Sequence, residues 1–321
     1  MADFNYLKDR VKSMSMTSML SAAQNVHERS DISTLRAFVD IARCGIKYSA
    51  GYTDYLNCAF ETKSAAERKN IITRGVNNRY VRRMNSRDLD SCFNDKRQFY
   101  AIYRDYISRD WLDLEKTNST ELRNFVNGDT EIVVRRPDAK ANSGTYVLNL
   151  LGVDDYDDLR ERLLRMGLSI AERRVIQHEE MEKLCGTSIG IIRLVTVGGN
   201  IVFACLNCEF DKFSLTAPID EKKGVIIGSA VDSKNGMYHR HPLTGKRFCG
   251  FHIPLWNTVE ALVISASKVL TSVKYCGWDV AVQPNRAELI DATSFPRHDY
   301  YRICNNEKLR SDIEKNMQNI I

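Results

Sequence analysis

Two strand-length apolar runs, WDVAV and AELID, flank Pro284-Asn285-Arg286 near the end of the chain. Runs of this kind around a short turn predict a β-hairpin, so an antiparallel sheet must be part of the fold. With those three residues as the loop, Gln283 faces Ala287, Val282 faces Glu288, and the same register sets Asp279 directly opposite Asp291. Like charges opposite each other on a sheet are destabilising. The pairing makes sense if one carboxyl is protonated or a cation lies between the two, and oxygen-only ligands favour Mg2+ or Mn2+. A slip of one residue would put the two acids on opposite faces, as ordinary solvated side chains near a turn.

Other elements surround this hairpin. The first ninety or so residues read mainly helical, with Ser64 to Arg74 rich in helix formers. Asp95 precedes Phe99, Ile102, Tyr103, Tyr106 and Ile107 at helical spacing, with Gln98 placed as in a capping box. Strands are expected at TEIVVRRP (Thr130 to Pro137), VLNLLGV and Arg174 to Gln177, with a helix around Asp157 to Met166. IGIIRLVTV, a Gly198-Gly199-Asn200 turn and IVFACLNCEF form a second hairpin, and Asn235-Gly236 turns a third. Thr258 to Val273 reads as an amphipathic helix that packs on a sheet. This order predicts an α+β fold with mixed antiparallel sheets in two lobes behind a helical N-terminal region.

Composition narrows the class of protein. No stretch of about 18 apolar residues occurs, so no membrane span is expected, and the charged start MADFNYLKDRVKS predicts a cytoplasmic location. The nine cysteines form no secreted-type framework and are expected as reduced thiols. Cys205 and Cys208 lie three apart in a strand, where side chains point to opposite faces, so they read as buried apolar residues. His239, His241, Cys249 and His252 have zinc-ligating side chains, but their spacing fits no standard zinc pattern. The net charge of +5 suits an anionic substrate, whereas the basic run from Arg79 to Asp88 reads as a solvated face, and no nucleic-acid partner is expected.

Taken in order, TDYLNCAFETKSAAERKNIIT, NDKRQFYAIYRDYISRDWLDL, VVRRP, VIQHEEMEKL, SIGIIRLVT, HPLTGKRFCGFHIPLW and the aspartate hairpin resemble the ATP-grasp superfamily. Within it the similarity is to the sugar-transfer-associated branch of polysaccharide biosynthesis, and it covers roughly residues 37 to 304. The resemblance implies a helical region at 1–92, a first lobe at 93–184 and a second lobe with a metal-binding hairpin at 185–321. The two lobes would enclose ATP.

By the resemblance, Lys96 and Arg136 face phosphate oxygens, Gly144 belongs to a phosphate-covering loop, and Gln177 with Glu179 or Glu180 lies near the adenine. Arg193 matches an arginine beside the transferred phosphoryl group, and Asp279, Asp291 and Thr293 match the magnesium ligands. Several positions depart from the family. Arg136 and Asp291 stand where lysine and glutamate are usual, Thr293 replaces an asparagine, and Gly190 and Ile191 replace asparagine and threonine.

The activity implied is an ATP-dependent carboxylate–amine ligase using Mg2+ or Mn2+, with small-molecule acid and amine substrates that the branch links to saccharides. A nucleotide-binding regulatory pseudoenzyme is the alternative that the departures favour, and a kinase on the same fold is a third reading.

Overall fold

The computed structural model describes residues 15–86, 90–138, 144–210, 213–304 and 308–320. The chain forms two compact units, one of residues 1–85 with 295–321, the other of residues 86–294. The class is α+β, with helices from Met16 onward preceding the sheets.

The first unit is helical. Met16–Arg29, Thr34–Tyr48 and Tyr52–Asn57 bury Met19, Ala23, Val26, Ile41 and Tyr55 around Phe60. Residues 64–74, rich in helix formers, divide between two helices. Ser64 caps Ala65–Asn70 through a capping box with Glu67, and Thr73 caps Arg74–Met84, its Oγ1 accepting from Val76 N at 3.3 Å. The β-branched run Ile71-Ile72-Thr73 lies between them, where helix continuation costs side-chain freedom. Asp54, 5% exposed, accepts from the amides of Gly51 and Arg74 and contacts His298 Nε2 at 3.1 Å.

The second unit holds two sheets. Strands β1 (Trp111–Asp113), β2 (Glu131–Arg135), β3 (Thr145–Asn149) and β4 (Ile170–Arg173) form a four-stranded sheet in the order β1-β4-β2-β3. Alternation decides its faces. Ile132, Val134 and Ala171 turn toward Leu122, Leu159 and Leu163 of the helices Ser119–Phe125 and Tyr156–Arg165. Ile170 joins the other core, with Phe99, Tyr100 and Tyr103.

The fourth strand is not where its sequence pattern suggests. Ile170–Arg173 finds partners in β1 and β2, whereas residues 174–178 have no partner strand among the described residues, and His178 N bonds Val282 O at 2.8 Å.

The larger sheet has eight strands: β5 (Ile191–Val197), β6 (Asn200–Phe210), β7 (Phe213–Asp220), β8 (Val225–Ile226), β9 (Ala230–Val231), β10 (Met237–Tyr238), β11 (Tyr275–Val282) and β12 (Ala287–Thr293). Its order is β10-β9-β7-β6-β5-β11-β12, with β8 on β7. Helix Trp256–Ala266 covers it through Val259, Val263 and Ala266, and ends seven residues short of Val273, the last apolar residue of its pattern.

Candidate nucleotide and phosphate site

The aspartates do meet, by a route different from the expected one. Gln283 N donates to Arg286 O at 2.8 Å and Val282 pairs with Ala287, so the loop is Pro284-Asn285 alone. That register would set Asp279 against Ile290. A bulge between Asp279 and Val280 absorbs the extra residue and restores Asp279 opposite Asp291. The bulged Ile290 exposes its carbonyl, which accepts from Lys96 Nζ at 3.0 Å.

Each aspartate has a cation of its own. Arg193, the register partner of Asp279 across β5, donates to it bidentately through Nε (2.6 Å) and Nη2. Lys96 Nζ lies 2.7 Å from Asp291 Oδ1, which also accepts from Ala292 N at 2.8 Å. Protein cations therefore offset the repulsion that the hairpin alone would carry. Lys96 is 3% exposed, and burial pulls its ammonium below the ordinary lysine value despite the attraction of Asp291.

From Lys96 a buried ionic network crosses to the small sheet. Arg109 contacts Glu172 at 3.0 Å and the Leu289 carbonyl at 3.0 Å, and also donates to Glu288. Glu172 receives the Tyr100 hydroxyl and lies 3.3 Å from Arg135 Nε. Burial would raise the Glu172 carboxyl, but Arg109 and Arg135 hold it below its ordinary value. Lys96, Arg109 and Arg135 thus balance Glu172, Glu288 and Asp291 in formal charge.

One member of this network pairs in charge with Glu172 but leaves two donors without a hydrogen bond. Arg135 donates through Nη2 to Thr145 Oγ1 at 3.0 Å, yet its Nε and Nη1 are buried with no hydrogen-bond partner among the described residues. Buried polar groups without hydrogen-bond partners are rare, so these two donors call for an explanation.

The remaining sequence candidates fall elsewhere. Arg136, one residue on, is exposed and lies 3.3 Å from Asp138. Strand alternation explains the difference: Arg135 lies on the face opposite Val134, which is buried in the apolar core, whereas Arg136 is beyond the strand end. Gly144 takes φ +80° and accepts from Arg136 N at 3.1 Å, while residues 139–143 of its loop lie outside the described residues.

Gln177 is occupied with structure. Its amide holds the Gly186 and Ser188 carbonyls at 2.9 and 3.0 Å and accepts from Gly190 N at 3.1 Å. Glu179 and Glu180 start the helix Glu179–Cys185 and pair with Lys183 at 2.7 and 2.8 Å. A Cβ on Gly190 would lie 2.7 Å from Cys185 Sγ, so the larger asparagine usual in the family cannot fit without a shift.

Arg109, Arg135, Glu172 and Glu288 were not legible as a site. Their signal is weak: buried positions of charged residues in strands or their flanks, visible only once the strand faces are known.

The donor set fits magnesium in kind. Asp279 and Asp291 are register partners, and Thr293 lies two residues further along β12 on the same face. No cluster of three or more His, Cys, Asp or Glu side chains suited to a metal occurs among the described residues, the four-residue histidine and cysteine group included. Mg2+ is commonly held by one or two carboxylates together with substrate phosphates, so two aspartates do not rule out such a site.

Comparison with known proteins agrees with the family resemblance. Solved structures with related backbones include the ATP-grasp ligase PsnB complexed with minimal precursor, at 10% identity and TM-score 0.46, over 74% of this chain and 64% of that chain. A D-alanine–D-alanine ligase from Bacillus anthracis follows at 15% identity and TM-score 0.44, over 74% of this chain and 71% of that one. The macrocyclase MdnC from Microcystis aeruginosa, bound to its precursor peptide MdnA, has 12% identity and TM-score 0.44, over 72% and 63%. The chain spans only 64% and 61% of the two PsnB structures that head the comparison. Among curated proteins none matches the sequence. Residues 165–318 match the sugar-transfer associated ATP-grasp family. That segment carries β4 to β12, and with them Arg193 and the aspartate hairpin. By this match the segment is similar to the sugar-transfer associated ATP-grasp family.

Proposed function

We propose that the protein is an ATP-dependent carboxylate–amine ligase and that the ATP phosphates lie against Lys96 and Arg135. The observation that carries this reading is the buried Arg135 guanidinium, which keeps two donors free of hydrogen-bond partners beside a buried lysine. A phosphate oxygen is the acceptor such a fork suits best.

In the proposed reaction, a substrate carboxylate oxygen attacks the γ-phosphorus of ATP, the bond to the β-phosphate oxygen breaks, and ADP leaves. An amine then attacks the acyl phosphate carbonyl, releasing phosphate and a proton and leaving an amide. Mg2+, held by Asp279, Asp291 and Thr293, would neutralise charge on the phosphates. Arg193 would stabilise charge on the transferred group, and Asp279 holds its guanidinium through two hydrogen bonds. Adenine would be read by backbone groups of residues 174–178, because the Gln177 side chain is already engaged. The family match supports a saccharide-linked acid or amine as the substrate class.

A trap with hydroxylamine tests the chemistry. With ATP, magnesium and a panel of uronic and amino acids, an active acid is expected to release ADP and to give a hydroxamate. ADP formed with a phosphorylated product and no hydroxamate would make the protein a kinase. Nucleotide binding without turnover on any acid would favour the regulatory reading, for which the altered family positions are the motive.

A further inference from the structure

A second polar cavity lies at the other edge of the large sheet. Gly228, Ser229, His239, Arg240, Arg247 and Cys249 line a space of about 320 Å3 next to β10, whereas Asp291 is on β12 at the far end of the strand order. None of these residues belongs to the nucleotide site.

A tight turn builds the cavity wall. After β10 the chain folds back, with His241 N donating to Lys246 O at 2.8 Å and Phe248 N to His239 O at 3.1 Å. Gly245 supplies the positive φ of the turn, +67°. His241 and Phe248 are 1% and 0% exposed with ring centroids 6.0 Å apart, and the Thr244 hydroxyl donates to Leu184 O at 2.9 Å. These contacts anchor the turn. They leave His239, Arg240, Arg247 and Cys249 on the open side, lining the cavity.

The charges there are unbalanced. Arg240 and Arg247 are direct partners in an antiparallel bridge, which sets like charges opposite each other. Arg240 donates to the Gly245 carbonyl at 3.0 Å, but neither guanidinium has a carboxylate partner among the described residues, and no acid lines the cavity. Beside them the Ser229 hydroxyl and His239 Nδ1 are 2.7 Å apart, which orients a hydrogen-bonded pair at the same wall.

We propose that this cavity binds the phosphoryl group of a phosphomonoester. Two guanidiniums match a group carrying about two negative charges at neutral pH, whereas a carboxylate would leave one cation uncompensated. A phosphoryl group also offers three terminal oxygens, enough for both forks and a hydroxyl or imidazole donor. The volume exceeds that of phosphate alone and falls in the range of small-molecule sites, so room remains for the esterified part.

Titration calorimetry of the whole chain with glycerol phosphate, orthophosphate and acetate tests the assignment. Glycerol phosphate is expected to bind at least as tightly as orthophosphate, and acetate about tenfold more weakly or not at all. The double variant Arg240→Ala/Arg247→Ala should lose affinity for glycerol phosphate by about tenfold or more, with its melting temperature kept, since both side chains are exposed. Arg135→Ala, in the nucleotide site, should leave that affinity unchanged. Equal binding by the double variant, loss of binding in Arg135→Ala, binding of orthophosphate but not of the ester, or no binding of any probe would each overturn the proposal.

Discussion

Glu172 is 4% exposed and lies between two guanidiniums and a tyrosine hydroxyl, where its negative charge is offset on three sides. Because its folded pKa lies below the ordinary 4.5, its ionisation contributes stability that is present above pH 4.5 and is lost as the pH falls from there through the folded value. Glu172→Gln leaves Arg109 and Arg135 short of a counter-charge and should cost about 3–5 kcal/mol at neutral pH, the cost of breaking a buried pair. Chemical denaturation at several pH values checks both points: the variant should be less stable at pH 7 and lose less on acidification below 4.5. An unchanged stability at pH 7 would mean that water, not Glu172, compensates the arginines. Asp291 gives a second case. Facing carboxylates alone would make Asp291→Asn neutral or stabilising without metal. The ion pair with buried Lys96 reverses that expectation, and the variant should melt below the wild type in the absence of divalent ions. A melting temperature equal to or above the wild type in EDTA would refute the pairing.

At the scale of elements, the hairpin shows how far local pattern carries. Apolar runs and the Pro-Asn turn are written in the sequence, and so is the facing of Asp279 and Asp291, but the loop is two residues long and a bulge at Ile290 corrects the register. Bulges leave little trace in a single sequence, because they depend on what the extra residue meets. Here its carbonyl meets Lys96. The same limit applies to the fourth strand. VIQ has a strand's composition, but the partners that make a strand lie four residues earlier, and pairing is not local information. Arg136 is the cation the resemblance implies, whereas strand alternation puts buried Arg135 on the face opposite Ile132 and Val134. Capping and amphipathic patterns were more legible. Asp95 caps Lys96–Ile102 as expected, although it accepts from Arg97 N at 2.8 Å and not through a box with Gln98. Gly224 supplies an element-level test: it has φ +65°, and an added Cβ would lie 2.3 Å from Trp256 Cγ on the helix that covers the large sheet. Gly224→Ala should therefore destabilise the protein by at least about 1–3 kcal/mol, the range for overpacking, with backbone strain in addition. A change smaller than about 0.5 kcal/mol in urea denaturation would show that the turn relaxes freely.

For the whole molecule, the buried network links the edge of the large sheet to the inner face of the small one, so a ligand bound to both Lys96 and Arg135 should stabilise the second unit as one body. Among the described residues no helix is long and apolar enough to cross a membrane. MgATP at about a hundred times its dissociation constant should add about 2.7 kcal/mol, and EDTA should reduce that gain. The central claim is that phosphate is held by the inner cations, Lys96 and Arg135. Calorimetric titration of MgATP into the wild type, Arg135→Ala and Arg136→Ala tests it most directly. Loss of a charge-assisted contact at Arg135 should weaken binding by about 1.5–3 kcal/mol, while Arg136→Ala, whose side chain is exposed, should stay within about 0.5 kcal/mol of the wild type. No binding by the wild type at millimolar MgATP, or a loss in Arg136→Ala that Arg135→Ala does not share, would contradict the account.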